Sequence, residues 1–334
     1  MTLLSYFAIY VIWGSTFLAI RLAIGSIPPL LMMGVRCMIA GLVLLSLAAL
    51  RRDWPAARDW RPGLAAGALM FGLPYAALAW AELRISSGMA ALLVATLPFW
   101  LIVIEWVRGG RPSARTMTGL GIGLAGVALL VADSLAAPAS VLPMAAIIVG
   151  ELAWAAGSVY LQPRLPRSLP LNAGMPLTAG GALLLLGSTS IGELRGFSVQ
   201  NVTLSSWLAL GYLILFGSIL AFSAYMFLLR RAPASRVSTH AYVNPLIAVA
   251  LGAVAVNEPI DASIVMASFV IASGVALVLD ARQAGQNGVH KDRRDSEAPR
   301  AKTWSRAPVI RKIPSGAKPR STSATLKMRG ISVN

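Results

Sequence analysis

Long apolar runs separated by short polar turns set the pattern of this chain. A membrane-crossing helix needs about 20 predominantly apolar residues to span about 30 Å of hydrocarbon. Windows of that kind fall near 2–20, 29–50, 62–82, 86–107, 116–133, 141–161, 172–191, 204–229, 233–256 and 262–280. The connections between them are rich in Arg, Pro, Gly and Asp, as turns between packed helices are. The first window has no basic n-region, so a first membrane helix is expected there in place of a secretory signal. The fold class that follows is an all-α integral membrane protein with about ten transmembrane helices.

The pattern also repeats. Phe71 to Pro112 and Phe216 to Pro259 both read as an apolar run, a basic turn and a second run broken by proline. Arg84 answers Arg231, Pro98 answers Pro245 and Pro112 answers Pro259; 231 − 84, 245 − 98 and 259 − 112 all give 147. Gly126-Val127-Ala128-Leu129 recurs as Gly274-Val275-Ala276-Leu277, at 148. Each copy holds five windows, an odd number, so the second copy must enter the bilayer upside down relative to the first. Two inverted five-helix repeats are the architecture of secondary transporters, with a site near the midplane between the halves. The expected divisions are 1–134, 141–280 and a tail over 281–334.

Charge fixes the orientation. Loops after even-numbered windows carry Arg51, Arg52, Arg58, Arg61, Arg108, Arg111, Arg115, Arg164, Arg167, Arg230, Arg231 and Arg236, whereas loops after odd-numbered windows carry only Arg21, Arg84 and Arg195. By the positive-inside rule both termini are expected in the cytoplasm, and the chain is expected in the inner membrane. Composition agrees with a membrane protein: 57% of residues are hydrophobic and 13% charged, against about a quarter charged in soluble domains. The pI near 11.1 comes largely from the tail, where 13 basic and three acidic residues follow 280 residues without a lysine. A nucleic-acid partner is therefore not expected. The tail reads as disordered, and either drawn to anionic lipid headgroups or a solvated extension with no role.

Ionisable groups within apolar windows are costly and so are candidates for a substrate or ion pathway. Arg36 lies about 10 Å from the outer end of the second window at 1.5 Å per residue, and Glu82 lies at the outer end of the third. An Arg36–Glu82 pair, structural or gating, is expected. Glu151 sits near the midplane with Trp154 one turn on; burial favours the neutral form of a carboxylate, which suits a proton carrier. Glu105 lies near the cytoplasmic end of its window, three residues before Arg108, and reads as snorkelling or pairing there. Trp13, Tyr75, Trp80, Trp100, Trp154 and Tyr225 are candidate cavity walls, and Trp106 and Trp207 interface anchors. His240 and Asn244 share one face of the ninth window. Pro98 and Pro245 are candidate hinges, because a proline frees a carbonyl within a span.

Enzyme motifs do not hold up. Gly121-Ile122-Gly123-Leu124-Ala125-Gly126 matches a dinucleotide fingerprint but follows no strand, so helix packing through small residues explains it better. The absence of lysine before residue 281 excludes a Walker A loop. The lone Cys37 excludes an internal disulfide or a cysteine zinc cluster. No cofactor is expected. An alternative from another class is an intramembrane serine protease using Ser218 and His240, which would need them in hydrogen-bond contact; a passive channel is a third.

Trp13-Gly14-Ser15-Thr16-Phe17, Pro28-Pro29 with Arg36, and Ser87-Gly88 leading to Pro98 resemble the first EamA domain of the drug/metabolite transporter superfamily. Gly217-Ser218, Tyr225, Leu228-Leu229-Arg230-Arg231, Tyr242-Val243-Asn244-Pro245 and Asn257-Glu258-Pro259 resemble the second. The resemblance covers residues 1–280. It implies ten spans in two inverted halves and alternating access of a small metabolite, amino acid or drug-like solute, often export coupled to a proton or a counter-solute. Membrane lipid and a second copy of the chain, as a homodimer, complete the expected partners. Two features depart from the family pattern: the first window starts at residue 2 with no cytoplasmic lead-in, and the basic tail has no counterpart.

Overall fold

The computed structural model describes residues 1–134, 141–166, 168–257, 262, 264–274 and 276–277, and every regular element among them is a helix. In chain order these are α1 Thr2–Ala23, α2 Pro29–Leu50, α3 Ala57–Ala81, α4 Ser87–Val107 and α5 Ala114–Ser134. They continue as α6 Val141–Leu161, α7 Leu169–Ser190, α8 Leu204–Leu229, α9 His240–Val256 and α10 Ile264–Gly274. Seven helices, α1 to α4 and α6 to α8, are long and apolar enough to cross a membrane.

The other three windows are not among these seven. α5 is 21 residues long and holds four glycines, Gly119, Gly121, Gly123 and Gly126; its side chains at 127 and 130–134 lie outside the described residues. In the ninth window a single turn, Ala234–Val237, is separated from α9 by Ser238 and Thr239. The tenth window runs into residues that are not described; Glu258, Pro259 and the tail over 281–334 also lie outside the described residues. α5 and α10 pack through small residues: Gly274 sits over the backbone of Gly123, and Gly126 faces Ile271.

The most extensive helix contact joins α2 to α7. Gly34 meets Leu185, Met38 meets Gly181, Gly41 meets Thr178 and Leu45 meets Gly174, so the two helices run antiparallel. The contacts are reciprocal, because 174 − 34, 178 − 38, 181 − 41 and 185 − 45 all give 140. A side-chain carbon on Gly181 would come within 2.6 Å of the Met38 backbone nitrogen, so glycine is what permits this approach. The remaining contacts have the same reciprocity: α1 packs on α8 and α9, and α6 packs on α3 and α4.

Two helices widen into π-helical turns, at Ala68–Gly72 in α3 and Leu213–Ala221 in α8. Shifted by 147, the first falls on 215–219, inside the second. α4 is interrupted at Ala95 and Thr96, just before Pro98. Pro245, by contrast, lies inside a continuous α9, and the interruption comes earlier, at Ser238–Thr239. The Ser238 and Thr239 hydroxyls donate to the carbonyls of Ser235 (3.0 Å) and Arg236 (2.9 Å), taking up acceptors of the preceding turn.

At the end of α7, Gly192 adopts φ 77°, which turns the chain back on itself. Glu193 then reaches across to α2, where its carboxylate accepts from the backbone N–H groups of Leu30 (3.1 Å) and Leu31 (2.9 Å) and from the Ser188 hydroxyl (2.7 Å). The first-turn N–H groups of α2 have no partner within the helix, so this carboxylate is an N-terminal cap delivered from another helix. Glu193→Ala is expected to lower stability by about 1 kcal/mol, measured as a reduced melting temperature of the detergent-solubilised protein.

Candidate functional site

α1 carries Trp13, Thr16, Phe17 and Ile20 at spacings of three and four, one face of a helix. That face forms one wall of a central cavity of about 70 Å³. Arg36 enters from α2, Pro74, Tyr75 and Leu78 from α3, and Val94 and Leu97 from α4. Glu151 and Trp154 on α6 and His240 and Asn244 on α9 complete it. Glu151 is the middle residue of α6.

Arg36 is 2% exposed and, among the described residues, has no carboxylate within salt-bridge distance. The expected pair with Glu82 does not form. Arg36 instead donates from Nε to the Ser218 hydroxyl (2.8 Å), approaches the Tyr75 hydroxyl with Nη2 (3.4 Å) and lies 4.9 Å from the Tyr75 ring centre. A buried guanidinium is costly unless polar or aromatic groups solvate it, and these supply that solvation. Glu82 is fully buried at the end of α3, outside the cavity lining, and its backbone carbonyl accepts from Arg21.

Ser218 can reach Arg36 because it sits in the π-helical segment of α8. The neighbouring Gly217 carbonyl accepts from the Trp13 indole N–H at 3.0 Å. A side-chain carbon on Gly217 would lie 2.9 Å from Arg36 Nη2 and 3.0 Å from Thr16 Cγ2. The segment thus holds both Trp13 and Arg36. Turns of this kind are frequent at functional sites.

Aromatic rings fill the space between these groups. Trp13 meets Trp154 edge-on at 5.9 Å and His240 at 4.7 Å, while Tyr75 stacks on Trp154 at 6.1 Å. Tyr225 stands behind this layer, 5.3 Å from Trp13, with its hydroxyl 2.8 Å from that of Ser158. Nδ1 of His240 lies 3.0 Å from the Val237 carbonyl, which can only accept, so Nδ1 carries hydrogen. The Asn244 amide donates to the carbonyls of Tyr10 (3.0 Å) and His240 (2.9 Å), tying α9 to α1.

The structure therefore brings together Trp13, Arg36, Tyr75, Glu151, Trp154, His240 and Asn244, with Tyr225 supporting them. Trp100 lies elsewhere on α4, 5.0 Å from Phe99. Thr16, Phe17 and Ile20 were not singled out as wall residues, although their spacing from Trp13 was available in the sequence. Ser218 and His240 share no hydrogen bond, each being engaged elsewhere, so the arrangement that activates a serine nucleophile is missing among the described residues. Nor, among the described residues, do three His, Cys, Asp or Glu side chains converge as a metal site requires.

What the cavity offers is a buried cation and a buried carboxylate, between apolar and aromatic walls, drawn from both parts of the chain. The EamA-like transporter family model matches residues 1–132 and again 142–280. The chain belongs to the EamA-like transporter family.

This transporter is 36% identical over 277 residues to the "Uncharacterized inner membrane transporter YedA" of Escherichia coli K12, covering 81% of this chain and 88% of that one. It is 24% identical over 280 residues to the "Uncharacterized transporter YvbV" of Bacillus subtilis, covering 80% and 88%. A "Probable amino-acid metabolite efflux pump" of E. coli K12 is 22% identical over 279 residues, covering 80% and 91%. One crystal structure, 24% identical in sequence, superposes with a TM-score of 0.63 over 84% of this chain and 98% of its own, a likeness of fold.

Gly217→Val is expected to push Arg36 and Trp13 apart and to cost roughly 1–3 kcal/mol by overpacking. Thermal melts of the purified transporter check this against Gly211→Ala, a site with open space around it that is expected to melt unchanged.

Proposed function

We propose that this chain is a secondary transporter that moves a small zwitterionic metabolite of the amino-acid type across the inner membrane by alternating access. The observation that carries the reading is Arg36 and Glu151 lining one central cavity. A solute carboxylate would take the free donors of Arg36 in a charge-assisted contact. Its ammonium would face Glu151 and the aromatic rings, and an apolar side chain would lie against Leu78, Val94 and Leu97. The cavity, at about 70 Å³, is well below the roughly 300–1,000 Å³ of pockets that hold drug-sized ligands, so loading must widen it.

The machine, in this reading, is ten spans in two inverted halves, 1–134 and 141–280, with both termini and the 281–334 tail in the cytoplasm. The antiparallel, reciprocal contact of α2 with α7 and the paired π-turns support the inversion. The arginine distribution supports the orientation, and the printed name of YedA supports the inner membrane. Export follows the direction named for the efflux-pump relative. Glu151 is assigned the coupling proton, because it is the one carboxylate lining the cavity among the described residues.

Purified protein in proteoliposomes, offered labelled amino acids and amphipathic cations with and without a pH gradient, tests the proposal. Arg36→Gln is expected to weaken binding of carboxylate-bearing solutes by about ten- to a hundredfold, the loss of one charge-assisted hydrogen bond. Glu151→Gln is expected to abolish gradient-driven accumulation while sparing solute exchange. Full gradient-driven transport in Glu151→Gln would remove the proton role.

A further inference from the structure

The helices that line the central cavity continue past it into a second one. On α4, Val94 and Leu97 line the first cavity, and Leu101, Ile104 and Arg108 the second. Their spacings of three and four residues keep all five on one face. Along α6 and the turn that follows it, Glu151 and Trp154 line the first cavity and Val159 and Gln162 the second. The ninth span passes from Asn244 and His240 on α9 to Ala234 and Ser235 in the preceding turn. The second cavity measures about 310 Å³ and lies at the ends of the helices where Arg108, Arg164, Arg230 and Arg231 gather.

Between the two cavities there is about one helical turn, roughly 5.4 Å along each helix. Leu101, Ser158 and Val237 occupy that level, and they are 3%, 0% and 0% exposed. The turn Ala234–Val237 packs directly on the second half of α4. Helix interruptions flank the layer, at Ala95–Thr96 in α4 and at Ser238–Thr239 before α9. Backbone free of a continuous hydrogen-bond ladder is where a helix bends at least cost.

The chemistry of the outer chamber resembles that of the inner one. Glu105 and Arg108 place both signs of charge on its wall, as Glu151 and Arg36 do in the centre. Gln162 Nε2 donates to the carbonyls of Leu229 and Ala232, each at 2.9 Å, which fixes the opposite wall at the end of α8.

We propose that the second cavity is the cytoplasmic loading site for the transported zwitterion, and that the layer of Leu101, Ser158 and Val237 is the gate between it and the central cavity. The solute class and the cytoplasmic side rest on the function proposed above; the passage between the two cavities rests on the helix faces alone. Cys37 is the sole cysteine, so Cys37→Ala gives a cysteine-free background. Into it go Ile104→Cys and Ser235→Cys, one per variant, each exposed to a charged, membrane-impermeant maleimide in right-side-out and in inverted vesicles.

Both cysteines are expected to react from the cytoplasmic side alone. In proteoliposomes the attached maleimide is expected to stop amino-acid exchange relative to the same variant before modification. Reaction from the outer side, or fully modified carriers exchanging at the unmodified rate, would overturn the route. If the unmodified background carries no amino acid, the solute assignment fails by itself; the sidedness of labelling then still decides for or against a cytoplasmic chamber.

Discussion

A guanidinium held away from water must be solvated by the protein, at a cost of several kcal/mol if it is not. Arg36 imposes that requirement on everything around it. Its acceptor, Ser218, comes from α8, 182 residues away, and it reaches Arg36 from a segment of α8 wound as a π-helix. A side chain at Gly217 would press on Arg36 Nη2 and Thr16 Cγ2, so glycine leaves Arg36 its place. The Gly217 carbonyl engages Trp13, and Trp13 in turn sets the positions of Trp154 and His240. One charge thus links an irregular helix, a close-packed glycine and the aromatic wall. It also leaves the cavity with a cation whose partners are neutral, so an anionic group on a solute would gain the most there.

Local and non-local features of the chain were legible to different degrees. The long helices were readable because length and apolar content are local properties. Arg36 and Glu151, which both line the central cavity, stood out in the sequence because a charge in an apolar window has few bland uses. Arg36's true partners were not, because nothing local in the sequence pairs position 36 with 218, and Glu82 was the nearer candidate. Pro98 marked its interruption well: it sits in the first turn of a helical segment, where its missing N–H costs nothing. Pro245 misled for the complementary reason. The interruption in the ninth span comes where Ser238 and Thr239 turn their hydroxyls back onto carbonyls of the preceding turn, and hydroxyl residues carry a weaker signal than proline. The wall residues Thr16, Phe17 and Ile20 look like ordinary packing until the partner helices are in place.

The contact between α2 and α7 has a mechanical consequence. Gly34, Gly41, Gly174 and Gly181 let backbone lie close to backbone, with Met38, Thr178, Leu45 and Leu185 seated in the recesses they leave. A seam of that kind resists shear, because sliding by one residue would drive a side chain into a main chain with no flexible atoms to yield. It resists rolling far less, since a small rotation about the contact line keeps each side chain in its own recess. In the alternating-access cycle proposed above, the two helices would serve as an axle, and a large displacement would fall to the interrupted pair α4 and α9, which pack on each other.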